Sequence, residues 1–189
     1  MDYGYTHYTV ILLFAQDGDG QVYVLDELAA RRQLVPKHAE ALRALLARRG
    51  IEPERIRRFV AGRDVFAARP TAGTAATIAE QWAAQGFRLE PANDDRINGA
   101  AEVARRLGDV DAGLEPSLHI SPACARLIEC LPVLEHDPHR PEDVLKIDTD
   151  DDGKGGDDPY DALRYGLMAA AGRPRDTVDI GAFLEDWRG

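Results

Sequence analysis

Residues 36–62 read Pro36-Lys37-His38-Ala39-Glu40-Ala41-Leu42-Arg43-Ala44-Leu45-Leu46-Ala47-Arg48-Arg49-Gly50-Ile51-Glu52-Pro53-Glu54-Arg55-Ile56-Arg57-Arg58-Phe59-Val60-Ala61-Gly62. From Pro36 to Arg49, apolar Ala39, Leu42, Ala44, Leu45 and Leu46 recur at helical spacing; Pro36 suits a first turn and Gly50 ends the helix. Arg57–Gly62 then reads as a strand, with Asp64 just past its carboxyl end, the side of an open α/β sheet where ligands gather. Upstream, Thr9-Val10-Ile11-Leu12-Leu13-Phe14-Ala15 and Gln21-Val22-Tyr23-Val24-Leu25-Asp26 flank Asp17-Gly18-Asp19-Gly20, whose glycines supply positive φ angles, so these two runs form a hairpin. A short strand is expected to end near Met1-Asp2, turning at Tyr3-Gly4-Tyr5 into the hairpin. Hairpin, helix and strand make the helix the crossover of a β-α-β unit.

The alternation continues downstream. Helices are expected over Thr74–Gln85, Arg96–Leu107 and Ala123–Leu134, and strands over Phe87–Glu90 and Leu118–Ile120. The stretch 136–156, rich in Asp, Pro and Gly, reads as a mobile acidic loop. A last helix starts at Asp158-Pro159 and runs to Ala171, with proline at its first position. The prediction is one α/β domain over 1–172, a mixed β-sheet flanked by helices on both faces, followed by a tail over 173–189.

The chain has 189 residues, 44% of them hydrophobic, enough for one properly buried core. No apolar run approaches the ~20 residues a bilayer span needs, and Met1-Asp2-Tyr3-Gly4 opens no secretion signal. The expectation is therefore a cytosolic, non-membrane protein in which Cys124 and Cys130 are free thiols. A net charge of −10 counts against a nucleic-acid partner. The charge is unevenly spread, however: Arg43, Arg48, Arg49, Arg55, Arg57, Arg58, Arg63 and Arg69 lie close in sequence, and acid is concentrated between Glu135 and Asp161, which would permit a basic face beside an acidic pocket.

Four aspartates stand where chain geometry could bring them together: Asp2 and Asp64 at strand ends, and Asp158 with Asp161 one helical turn apart on a shared face. Mg²⁺ and Mn²⁺ prefer hard oxygen ligands, and a pair of such ions roughly 4 Å apart can activate water and stabilise the leaving oxygen at phosphorus. Each aspartate also has a local reading. Asp158 before Pro159 suits an N-cap, with Asp161 completing a capping pair, and Asp64 could be a turn residue or an ion-pair partner of Arg63 or Arg69.

In chain order, five segments together resemble the nuclease domain of the large terminase subunit of tailed bacteriophages. They are Asp2-Tyr3-Gly4; the hairpin ending Val22-Tyr23-Val24-Leu25-Asp26-Glu27; Asp64 after a strand; Pro91-Ala92-Asn93-Asp94-Asp95-Arg96-Ile97-Asn98-Gly99; and Asp158-Pro159-Tyr160-Asp161-Ala162-Leu163-Arg164-Tyr165. The resemblance spans Asp2 to Ala170 and is most specific in the closing Asp-x-x-Asp-Ala-Leu-Arg-Tyr. It implies a ribonuclease-H-like fold and a metal-dependent endonuclease that cuts concatemeric viral DNA when packaging starts and ends. Asp2, Asp64, Asp158 and Asp161 would be its catalytic acids and would bind two Mg²⁺ or Mn²⁺ ions; the place of Asp158 is sometimes taken by His in that family. The implied partners are double-stranded DNA, the terminase ATPase domain, the portal protein and the small terminase subunit, in the cytoplasm of the bacterial host. Lys146, Lys154 and Arg63 are candidate phosphate contacts, with solvated surface charge as the alternative.

Large terminases carry a Gly-rich phosphate loop ending in Lys-Ser/Thr, and this sequence contains none, so the chain is expected to be an excised, monomeric nuclease domain or a remnant without ATPase activity. Asp148-Thr149-Asp150-Asp151-Asp152-Gly153 matches half of a calcium loop, but Pro159 stands where the twelfth-position Glu belongs, so no calcium site is expected. His119, His136 and His139 lack zinc-ligand spacing. Two other readings stay open: a non-catalytic packaging module that docks on the motor or portal, and a junction-resolving nuclease of the same fold.

Overall fold

The computed structural model describes residues 1–68 and 76–170. Strands β1 (Thr9–Gln16) and β2 (Val22–Ala30) form the expected antiparallel hairpin. Its turn is closed by the Asp17 carboxylate, which accepts from the backbone N–H groups of Asp19 and Gln21, and by Gly20 at φ +86°. The register shifts between Leu13 and Phe14, which pair with Asp26 and Val24, so Leu25 bulges out of the ladder.

The first two residues carry this hairpin into the rest of the sheet. Asp2 pairs antiparallel with Val10 through two 2.9 Å backbone bonds. On the other side the Met1 amine donates to the Val60 carbonyl at 2.8 Å and Gly62 N–H donates to the Met1 carbonyl at 3.3 Å. Val60 belongs to β3 (Val60–Ala61), which lies parallel to β4 (Glu90–Pro91). On the far side of the hairpin, β5 (Leu118–Ile120) runs parallel to β2. The strand order is therefore β5, β2, β1, Met1-Asp2, β3, β4, with antiparallel and parallel pairs in one mixed sheet.

Alternation along β1 decides what covers each face. Val10 and Leu12 join Val22, Val24 and Leu118 in one cluster, beneath α3 (Arg96–Leu107), α4 (Ala125–Cys130) and α5 (Asp158–Ala170) through Val103, Leu127, Leu163 and Leu167. Ile11 points the opposite way, toward Val35, Ala39, Leu42, Leu45 and Leu46 of α1 (Val35–Arg48) and toward Trp82 of α2 (Ile78–Ala84). Truncating one of the fully buried leucines to Ala would cost about 2–5 kcal/mol through lost burial and the cavity left behind.

Several expected boundaries move. Helix α2 begins at a capping box, in which Thr77 Oγ1 accepts from Glu80 N–H and the Glu80 carboxylate accepts from Thr77 N–H. The expected start at Thr74, together with Arg69, Ala171 and the tail over 173–189, lies outside the described residues. The helix expected over Ala123–Leu134 is α4 followed by a 3₁₀ turn at Leu131–Val133.

The stretch read as an irregular loop folds in part. β6 (His136–Asp137) and β7 (Arg140–Val144) form an antiparallel hairpin. Its anchors are distant in sequence: Arg96 bonds Asp143 at 2.6 Å, and Val144 packs against the core. Two arginines hold the turn beyond it. Arg31 donates to the carbonyls of Asp150 and Asp151, and Arg126, stacked 3.6 Å over the Tyr8 ring, donates to those of Gly153 and Gly155. In the Asp148–Gly153 stretch that matches half a calcium loop, the carbonyls of Asp150, Asp151 and Gly153 are thereby hydrogen-bonded to guanidinium groups.

Candidate active site

The start of the chain and the start of α5 meet over the middle of the sheet, between β1 and β3. Asp2 is held in register by its backbone pairing with Val10, and its carboxyl is pushed up to about 7, first by burial and then by the negative charges of Asp161 and Asp158. The Met1 ammonium and Lys146 pull the other way without cancelling the effect. Asp2, Asp158 and Asp161, separated by more than 150 residues of chain, therefore share one electrostatic neighbourhood.

Asp158 is half-buried. Its Oδ2 accepts from Thr149 Oγ1 at 3.2 Å, and burial holds its carboxyl above the usual range despite that bond and the nearby charge of His7. Asp161 is buried at 2% exposure, and its side chain is not a cap. Its Oδ1 accepts from Arg164 at 3.1 Å and Arg96 at 3.4 Å, and its Oδ2 from Lys146 at 2.9 Å. The capping reading of this pair fails because three cationic side chains, two of them from outside the helix, claim Asp161 first.

One acid of the cluster goes unnoticed in the sequence. Asp157, 6% exposed, stands one residue before α5, and its carbonyl accepts from Asp161 N–H. Its Oδ2 is buried without a hydrogen bond and lies 3.6 Å from Lys146 Nζ. Burial, and then the charges of Asp161 and Asp158, push its carboxyl up, with Lys146 acting against them. Arg96 and Arg164 are further unmarked members. They stand in the segments 93–99 and 158–165, and Gly99 of the first leaves room for Arg164 of the second: a Cβ there would collide with the Arg164 Cγ and Cδ.

Asp64 sits one strand over. It lies exposed in the 3₁₀ turn Arg63–Phe66, and its Oδ1 would be 2.9 Å from a Cβ placed on Gly62. The Tyr165 hydroxyl is 3.3 Å from the same point, and Gly62 itself bonds Met1, so Asp64 and Tyr165 converge beside the strand that carries Asp2. Burial, Asp161 and Asp2 push the Tyr165 phenol up to about 12.

The expected phosphate contacts separate. Lys146 does not stand free for a phosphate; it is paired with Asp161 and Asp157. Lys154 is exposed on the turn. Arg63 pairs with Asp94 at 3.2 Å and, with Arg58, Phe66, Pro91, Ala92 and Asn93, lines an open groove at the carboxyl ends of β3 and β4. The run of arginines is largely spent on internal bonds: Arg48 and Arg49 on buried Asp26, Arg58 on Glu90 and the Ala169 carbonyl, and Arg43 on the Gln85 carbonyl. Such pairing removes much of the basic face that the sequence permits.

Among the described residues, no group of three or more His, Cys, Asp or Glu side chains is placed to hold an ion as it stands. The chemistry of the donors still suits a hard divalent ion: mutually repelling carboxylates, one with an oxygen that has no hydrogen bond. Mg²⁺ in particular binds through one or two carboxylates and keeps several waters. Asp2 and Asp158, which form none of the ion pairs that occupy Asp161, are the residues that fit this role.

His119 stacks on Tyr23 at 4.8 Å and bonds Gln21 through Nε2, a structural role. Cys124 and Cys130 are buried free thiols, raised by burial to about 12 and about 11. Among the described residues, no helix is long and apolar enough to cross a membrane.

No family model matches the chain, and no curated protein matches it in sequence. Among solved structures, the nuclease domain of the P22 large terminase is similar in fold, with a TM-score of 0.61 over 90% of this chain and 78% of that one at 16% identity. The fold is the ribonuclease-H-like α/β arrangement expected from the sequence, a mixed sheet with helices on both faces.

Proposed function

We propose that this chain is a metal-dependent DNA endonuclease domain of the kind that serves phage DNA packaging. The observation that carries the proposal is the meeting of Asp2, between β1 and β3, with Asp158 and Asp161 at the start of α5, Asp2 being raised to about 7 by burial and by its two neighbours. A structural framework alone has no need to crowd three acids in this way, whereas a divalent cation would relieve the repulsion. The fold likeness to the P22 terminase nuclease domain supports the same reading.

In this reading Asp2 and Asp158 hold Mg²⁺ or Mn²⁺, and Asp64 approaches from the neighbouring strand end. Bound there, a divalent ion supplies Lewis acidity at phosphorus and lowers the pKa of a coordinated water. Arg96 and Arg164 hold the Asp161 side chain in place beside the other acids. In the same reading Arg63, exposed in the open groove beside Asp94, meets a backbone phosphate, which gives little sequence preference. The packaging partners proposed are double-stranded DNA, the terminase ATPase domain, the portal and the small terminase subunit.

The competing reading, a docking module without chemistry, is favoured by the pairing of Asp161 with three cations and by the lack of a preformed group of three ligands among the described residues. Plasmid cleavage distinguishes the two. The nuclease reading expects nicking and linearisation that require Mn²⁺ or Mg²⁺ and are lost in Asp64→Ala, a change at an exposed position whose folding a thermal melt checks. Metal-independent cleavage, or full activity in Asp64→Ala, would refute it.

A further inference from the structure

Among the described residues, Lys146 bonds two acids of the cluster from a largely solvent-exposed position. Its side chain is 63% exposed, yet its Nζ lies 2.9 Å from Asp161 Oδ2 and 3.6 Å from Asp157 Oδ2, whose side chains are 3% and 8% exposed. The other two partners of Asp161 arrive from within the protein: Arg164 is buried on the same helix, and Arg96 is fixed by a 2.6 Å bond to Asp143 and another to the Val144 carbonyl. Among the described residues Lys146 bonds the Asp157 and Asp161 carboxylates alone, and it sits two residues past β7, on a flexible four-carbon stem.

We infer that Lys146 is a tethered counter-ion that competes with divalent metal for the Asp157–Asp161 side of the cluster, leaving Asp2 and Asp158 as the tighter ion site. The inference rests on the nuclease reading, because it takes the cluster to be a metal site. Its physical basis is that two buried carboxylates need positive charge close by, and an ammonium at 2.9 Å and 3.6 Å already supplies it. An incoming ion must either displace that ammonium or bind beside it against its repulsion. An ion at Asp2 and Asp158 meets the charges of Lys146 and the Met1 amine only through space, whereas at Asp157 and Asp161 it meets the ammonium in direct contact. Lysine, with a compact charge and rotatable donors, can swing away in a way that Arg96, locked into two further bonds, cannot.

The test is Mn²⁺ binding to the full chain, read from the free-Mn²⁺ paramagnetic resonance signal, so that it does not depend on cleavage. Wild type should hold one Mn²⁺ tightly and a second weakly, if at all. Lys146→Met should tighten the second by about tenfold or more, the scale expected for removing one adjacent unit charge near the surface. Lys146→Arg should bind Mn²⁺ as wild type does. Thermal melts in chelator check that each variant is folded, and Lys146→Gln serves as a second neutral variant should the methionine protein prove unstable. Wild type and both neutral variants binding Mn²⁺ alike would overturn the competition while leaving the nuclease reading standing. Absence of Mn²⁺ binding in all of them would overturn both.

Discussion

Asp2→Asn removes one carboxylate from a crowded cluster and keeps its shape, so it separates the electrostatic cost of the site from its packing. The Asp2 carboxyl moves from an ordinary 3.8 to about 7 in the folded chain, driven by burial first and by Asp161 and Asp158 next. The folded protein therefore keeps this proton at pH values where the unfolded chain has lost it. The sign follows from linkage: the contribution of Asp2 to stability is intact below the unfolded pKa and is lost as pH rises toward the folded one. At about 1.36 kcal/mol per pK step the full loss is about 4 kcal/mol, of which about 3 kcal/mol falls between pH 5 and pH 8. The Met1 ammonium, drawn down to about 5 by burial, contributes the opposite slope over the same range, so the difference between variant and wild type is the informative quantity. Urea denaturation in chelator at pH 5, 6, 7 and 8 measures it. Asp2→Asn should gain on wild type by about 3 kcal/mol across that series, and in the nuclease reading Mn²⁺ at pH 8 should stabilise wild type but not the variant. A gap that stays flat from pH 5 to pH 8, or a variant less stable than wild type at pH 8, would refute the reasoning.

Two further outcomes depend on packing. Gly99→Ala should lower stability by about 1–3 kcal/mol in a urea melt, because the new methyl meets the Cγ and Cδ of an Arg164 that buried bonds to Asp161 prevent from moving aside. Cys124 and Cys130, with thiols raised by burial to about 12 and about 11, should react with a disulfide reagent at pH 8 only as fast as the chain unfolds; prompt labelling of the native protein would contradict their burial.

The helix from Pro36, the hairpin across Asp17–Gly20 and the inward faces of α3 and α5 are legible residue by residue, because period and turn chemistry are written by neighbours in the chain. Asp2, Asp158 and Asp161 could be nominated for the same reason: strand ends and helix starts can be located locally. The misreadings have one source. The stretch 136–156 has loop composition, but Arg96 and the core hold part of it as a hairpin. The arginines from Arg43 to Arg63 look like a basic face, yet Asp26, Glu90 and Asp94 absorb several of them.

The mixed α/β class, the first hairpin and the alternation of helices and strands that follows it were determined by the sequence itself, through hydrophobic period and turn residues that act within a few positions. Which acids are neutralised, and by which cations, was decided only in the tertiary structure. Lys146 and Arg96 reach Asp161 across 15 and 65 positions, and pairing over such spans depends on where the folded backbone places each group in space, which leaves no local pattern to read.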